Sequence, residues 1–360
     1  MATYLHLFES ENEYNTVRQN NYVEPWVSAT NIENDSYRVD FNLTEREKLT
    51  RQPLTFEITS DGNINWVTTD NSVARTIEYS KNGGEWTSIT SNTGSSAPSI
   101  SVVSGDTVQF RGDNTTYGSD SRFNNNRFSK TTAGFKAYGN IMSLIDSTGF
   151  TTATTLQSAY TFNSFFEGCT GLTDASNLIL PATTLADSCY YRMFIGCSSL
   201  VNAPELPATT LANTCYREMF QGCTSLVNAP ELPATTLANY CYDSMFIGCS
   251  SLVNAPELSA TTLAEGCYYS MFKNCTILVN APELPATTLA NYCYRYMFSG
   301  CTSLNSITCL ATNISANGCT SNWVSGVSSN GLFACADGMS SVWTRDVSGI
   351  PKTWFVVESM

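Results

Sequence analysis

The chain has 360 residues, a formal net charge of −13, and only 14% charged residues. An acidic chain without clustered Lys and Arg offers no electrostatic footprint for nucleic acid. The lone histidine, His6, excludes most histidine-based acid–base and triad chemistry, and no glycine-rich phosphate loop occurs. No segment approaches the roughly 18 apolar residues of a membrane span, so no membrane insertion is expected.

Residues 1–50 are expected to form an N-terminal arm. Tyr4, Leu5, Leu7, Phe8, Tyr14, Tyr22 and Trp26 are spread among Glu and Asn, and Pro25 interrupts them. Such a segment either packs on its own neighbouring domain or docks into a partner, ordering as it binds. The first residues carry neither a basic n-region nor an apolar h-region, so no signal peptide is expected.

Residues 51–137 read as all-β. Leu54 to Ile58 alternates at period two. Ile77-Glu78-Tyr79 and Trp86 to Ile89 flank Lys81-Asn82-Gly83-Gly84, a hairpin signal. Ile100 to Val103 and Val108 to Phe110 flank Ser104 to Thr107, a second predicted hairpin. Short strands with these turns suggest a small immunoglobulin-like β-sandwich.

Residues 138–330 are repetitive. Twelve of the 14 cysteines fall on two ladders. One runs Cys189, Cys215, Cys241, Cys267, Cys293, Cys319; the other runs Cys169, Cys197, Cys223, Cys249, Cys275, Cys301. After one longer first step in the second ladder, every step is 26 residues. A fixed period of this kind marks stacked units that bury a common core. Cys241, Met245 and Cys249 stand four apart, predicting one face of a short helix or 3-10 segment. Leu252-Val253-Asn254-Ala255 predicts a strand that Pro256 ends. One strand and one short helix per coil is leucine-rich-repeat geometry. The expected fold is therefore a mixed β and α/β solenoid of about six coils, roughly 30 Å long at about 4.8 Å per step. Residues 331–360, with Trp343, Ile350, Pro351 and Trp354, are expected to cap it.

The cysteines are read first as small buried hydrophobes. Disulfides between adjacent coils are the rival reading. Zinc is disfavoured by the spacing of eight between ladders and by the single histidine. One polar feature recurs with the coil: Asn202, Asn228, Asn254 and Asn280, each three residues before Glu205, Glu231, Glu257 and Glu283. Carboxylates stacked about 5 Å apart form either a solvated stripe or a strip that recruits a cation such as Ca²⁺ or recognises a ligand. The solvated stripe is the favoured reading, so no cofactor or metal is assigned. No catalytic residue is nominated.

The phrases "MFIGCSSLVNAPELPATTLA" and "MFQGCTSLVNAPELPATTLA" resemble the BspA-like leucine-rich repeats, a cysteine-bearing bacterial surface class. The resemblance covers about residues 138–330 and implies adhesion or recognition with no catalytic residues to carry over. "IEYSKNGGEW" with "PSISVVSGDTVQFRGDN" resembles a module that precedes such repeats in proteins of gut Bacteroidales and their phages. Taken with the expected lack of a signal peptide, these resemblances imply a non-enzymatic virion fibre or decoration protein, assembled in the host cytoplasm. Its arm would bind virion structural proteins, and its repeats would contact a host surface protein or glycan. Self-association into a homo-oligomer is left open. The alternatives are a bacterial cell-surface adhesin and, more remotely, a glycan-active enzyme.

Overall fold

The computed structural model describes residues 3–8, 28–32, 36–40, 44–69, 72–119 and 124–359. The chain divides into two compact units, Met1–Gln52 and Pro53–Met360. In the first, β1 (Thr3–Phe8), β2 (Ser28–Ile32) and β3 (Ser36–Asp40) form an antiparallel sheet in the order β1-β3-β2. Helix α1 (Glu45–Thr50) follows, closed by a capping box. Thr44 Oγ1 accepts the Glu47 amide, and Glu47 accepts the Thr44 amide at 2.8 Å. Tyr4, Leu5, Leu7 and Phe8 lie on β1. Tyr14, Tyr22 and Trp26 lie outside the described residues.

The second unit opens with two sheets. Strands β4 (Leu54–Ser60), β6 (Thr76–Lys81), β7 (Thr87–Thr90), β9 (Thr107–Arg111) and β11 (Gly134–Asn140) form one, in the order β11-β4-β9-β6-β7. Strands β5 (Gly62–Thr68), β8 (Ser99–Val102) and β10 (Asn126–Phe128) form the other, in the order β10-β5-β8. Buried rings join them: Phe56 meets Phe110 at 4.8 Å, Phe128 at 4.9 Å and Phe135 at 4.5 Å. The β6–β7 hairpin forms as its sequence implies. Asn82 (φ 54°) and Gly83 (φ 71°) supply the two left-handed central residues of a type I′ turn.

The second predicted hairpin does not form. Strand β8 pairs with β5, whereas β9 pairs with β4 and β6. Residues 103–106 instead carry the chain from one sheet to the other, and Asp106 holds that corner. It accepts the Val103 amide at 2.8 Å and the Asn82 side-chain amide at 2.7 Å, and it pairs with Lys81 at 2.8 Å. The Lys81 ammonium and these donors pull its carboxyl down to about 2.

The expected mixed β and α/β leucine-rich-repeat solenoid is not what the structure contains. Regular structure among the described residues is mostly strand in small separate sheets, and α1 is the single α-helix. Strand β11 continues into two short parallel partners, β12 (Leu172–Asp174) and β13 (Leu178–Ile179). The expected boundary at 137/138 therefore falls inside β11. Between β13 and β14 (Ser306–Cys309) the chain has no helix and no strand longer than a single bridge.

Turns take the place of the predicted helix. In Tyr240 to Cys249, every fourth residue is left-handed: Tyr240 (φ 54°), Ser244 (φ 60°) and Gly248 (φ 71°). Left-handed residues break an α-helix, so the chain becomes a ribbon of linked turns. Its amides alternate. Asp243, Met245, Ile247 and Cys249 donate three residues back, to Tyr240, Tyr242, Ser244 and Phe246. Tyr242, Ser244, Phe246 and Gly248 donate to the next coil, to Cys267, Tyr269, Met271 and Lys273, at 2.7–3.1 Å. The four-residue spacing of Cys241, Met245 and Cys249 is real, but it is the period of the turn ribbon. The predicted strand shrinks to single bridges such as Asn228 with Asn254, because Pro230 and Pro256 remove the next donors.

Inside, two ring columns run from coil to coil. Tyr190, Tyr216, Tyr242, Tyr268 and Tyr294 stack at 5.7–6.2 Å. Phe166, Phe194, Phe220, Phe246, Phe272 and Phe298 stack at 5.3–5.8 Å. Phe128 of β10 meets Phe166 at 6.1 Å, so the sheet core and the columns are continuous. At the far end Trp323 closes both columns, 6.2 Å from Tyr294 and from Phe298. A parallel sheet, β14-β15-β16, with β15 (Leu332–Ala336) and β16 (Phe355–Ser359), follows. Trp343, Ile350 and Trp354 are buried beside it.

All 14 cysteines are buried, free thiols. The second ladder has a directed role. Cys197, Cys223, Cys249 and Cys275 donate their S–H to the carbonyls of Phe166, Phe194, Phe220 and Phe246 at 3.1–3.2 Å. Burial pushes the Cys215, Cys267 and Cys301 thiols up to about 12. Since the thiolate is the reactive form, native protein at pH 8 is expected to leave these thiols unreacted with a thiol reagent. Unfolding without reductant should then release all 14. A count of ten or fewer would show disulfides.

A second outcome shows whether the chain turns left-handed at Gly248, as a capped helix end or a turn ribbon would, or runs on as a helix through it. A Cβ on Gly248 meets no atom within 4 Å, so Gly248→Ala probes the backbone alone. At a left-handed position it is expected to destabilise by about 1 kcal/mol. In a helix interior the same change stabilises by about 1 kcal/mol. The sign of the shift in denaturant midpoint decides.

Candidate functional site

The Asn/Glu strip named from sequence does form a line. Asn202, Asn228, Asn254 and Asn280 all sit on isolated inter-coil bridges, Asn202 and Asn228 on two apiece. Asn254 donates its side-chain amide to Asn228 Oδ1 at 2.7 Å, and Asn202 donates to Asp174 at 3.0 Å. The asparagines therefore stitch coils together. Glu205, Glu231, Glu257 and Glu283 are exposed, one per coil, each directly before a buried Leu. Shallow notches lie between them along the Ala-Pro-Glu-Leu edge. One of about 420 Å³ is bounded by Pro204, Glu205, Pro230 and Glu231; another of about 440 Å³ by Pro256, Glu257, Pro282 and Glu283. Among the described residues no group of three or more His, Cys, Asp or Glu is placed to hold a metal ion.

A second surface was missed by reasoning from sequence, although the repeat carries its signal. Met193, Met219, Met245, Met271 and Met297 do not vary between coils, nor do the phenylalanines after them. The two positions just before those methionines do. They read Tyr191-Arg192, Arg217-Glu218, Asp243-Ser244, Tyr269-Ser270 and Arg295-Tyr296. These side chains run down the turn ribbon, opposite in character to its invariant interior.

In the early coils the variable residues neutralise one another. Arg127 pairs with Glu167, and Arg192 lies 3.6 Å from both Glu167 and Glu218. Arg217 reaches Glu218 at 3.2 Å and Asp243 at 2.9 Å. Tyr191 lies between the guanidinium groups of Arg192 and Arg217, at 6.0 and 5.8 Å, and donates to Glu218 at 3.3 Å. Asp243 is 3% exposed and accepts the Ser244 hydroxyl at 2.6 Å. Burial raises its carboxyl to about 6, against the opposing pull of Arg217.

In the later coils the pattern changes. Tyr269, Tyr292 and Tyr296 surround Arg295, and Lys273 stands over Tyr296. The Arg295 guanidinium beside Tyr296 lowers that phenol's pKa. None of the ion pairs among the described residues involves Arg295 or Lys273.

No family model, curated protein or solved structure matches this chain. Among the described residues, no helix is long and apolar enough to cross a membrane.

Asp243 makes the early cluster testable by pH. Its folded value, about 6, exceeds the unfolded value of about 3.9, so protonation favours the folded state. That contribution is complete below pH 4 and is lost as pH rises through 6. Relative to Asp243→Asn, the wild type is expected to lose on the order of 2–3 kcal/mol between pH 4 and pH 7. Parallel stability profiles for the two proteins would contradict the buried carboxylate.

Proposed function

We propose that this chain is a non-enzymatic recognition protein of a phage virion, a fibre or decoration that contacts the host surface. One observation carries the recognition reading: the coils repeat their interior and differ at a pair of positions along the ribbon, buried at Asp243 and Ser270 but half-buried at Arg217, Tyr269, Arg295 and Tyr296. Each coil repeats the same Cys, Tyr, Met and Phe in its interior, while the ribbon face carries a different pair of polar or aromatic residues in each coil. Repeat stacks of this kind present extended surfaces, and variation confined to one face is where different contacts are made. Tyr and Arg, the residues most enriched at binding hot spots, dominate the variable pairs. The virion assignment is supported by the likeness of residues 77–114 to a module of Bacteroidales and phage proteins. The likeness of the repeat phrases to bacterial surface proteins favours a second reading, a cell-surface adhesin.

The N-terminal unit is proposed as the anchor. Deletion of residues 1–45 is expected to leave the melting of Pro53–Met360 unchanged while abolishing incorporation into particles, assayed by mass spectrometry of purified virions. Normal incorporation of the truncated chain would overturn the anchor. Recovery of the full chain in outer-membrane fractions of uninfected cells would favour the adhesin.

A further inference from the structure

We propose that Arg295 and Lys273, framed by Tyr269, Tyr292 and Tyr296, form a binding site for the carboxylate of an acidic glycan. This rests on the recognition reading and names its ligand. The Arg295 guanidinium lies 5.2 Å from the ring centre of Tyr296, 5.6 Å from that of Tyr292 and 5.9 Å from that of Tyr269. The Lys273 ammonium lies 5.3 Å from the Tyr296 ring. Tyr269 and Tyr296 meet edge to face at 6.0 Å. The Tyr292 hydroxyl accepts the Asn317 side-chain amide at 2.6 Å, and its ring lies against Gly318, where a Cβ would come within 3.0 Å of it. The rings therefore hold their places before any ligand arrives.

The contrast with the early coils selects the ligand's charge. Arg217 occupies the same coil position as Arg295 and is matched by Glu218 and Asp243. Arg295 and Lys273 form no ion pair among the described residues, in a chain of net charge −13. Two cations on the same Tyr296 ring, neither paired with a carboxylate among the described residues, fit an added carboxylate, which a guanidinium can grip with two parallel hydrogen bonds. The surrounding phenols offer flat apolar surface with hydroxyls at the rim, which suits a sugar ring better than a flexible acidic peptide.

The full chain would be titrated calorimetrically with oligogalacturonate, hyaluronan fragments and sialyllactose. Methyl-esterified oligogalacturonate and poly-L-glutamate serve as comparisons. The proposal expects at least one carboxylated glycan to bind and its neutral ester to bind about tenfold more weakly. The double variant Arg295→Gln/Lys273→Gln should lose binding to a similar degree at unchanged melting temperature. Lys136→Gln, on the β-sheet, should not. Failure of all three glycans, unchanged binding by the double variant, or equal binding of poly-L-glutamate would each overturn the site. Adhesion to host cells separates the two levels. If the double variant adheres as the wild type does, this site falls and the recognition reading stands. If the wild type adheres to no host cell, the recognition reading falls, and this assignment with it.

Discussion

A buried backbone amide must find an acceptor, and in this protein half of the ribbon's amides find theirs only in the next coil. Everything else in the repeat region follows from that. A turn ribbon cannot satisfy itself as a helix does, so a single coil has no stable form. An insertion within the ribbon would misalign four inter-coil bonds at once, whereas the longer step from Cys169 to Cys197 takes its extra residues outside the ribbon and keeps the bonds of Phe162, Ser164, Phe166 and Gly168 to the next coil. Ends must be closed by something other than another coil. The aromatic sheet core closes one end, through Phe128 against Phe166; Trp323 closes the other, with Trp343 stacked on it at 5.6 Å.

Cysteine suits this architecture for two reasons. It is small enough to sit where successive coils approach at the spacing of stacked rings. It also carries a weak donor that the buried Phe carbonyls can use. Phe220 shows the arrangement: its carbonyl accepts the Cys223 amide at 3.0 Å and the Cys249 thiol at 3.1 Å. The second ladder is therefore a column of cross-coil hydrogen bonds. A side chain of similar size without a donor would keep the packing and lose that link.

The repeat, its period and the interior face were legible in the sequence, since Cys241, Met245, Phe246 and Leu252 are all buried. The helix was not, because apolar residues four apart fit a helical face and a four-residue turn equally well. Only the left-handed residue between them distinguishes the two, and Tyr240 and Ser244 do not advertise that conformation as Gly248 does. The predicted strand failed for a reason already visible in Pro256. The second hairpin failed because its turn residues fit a crossing between sheets as well as a tight return. The Asn/Glu strip stood out because it repeats, yet repetition here marks the joints between coils. The surface with chemical variety stood out only where the repeat broke its own pattern, at Arg217, Asp243, Tyr269 and Arg295.

The account joins a rigid interior to a changeable exterior. Substitutions on the ribbon face leave the inter-coil bonds intact, because those bonds use only backbone. Such a scaffold can exchange its half-buried ribbon residues, such as Arg217, Tyr269 and Arg295, coil by coil without breaking those bonds. The most direct test is the trans-hydrogen-bond scalar coupling between amide nitrogen and carbonyl carbon, measured by NMR on deuterated protein. The account predicts couplings from Tyr242, Ser244, Phe246 and Gly248 to the carbonyls of Cys267, Tyr269, Met271 and Lys273 in the next coil. Couplings from those amides to carbonyls four residues earlier in their own coil would show a helix and contradict it.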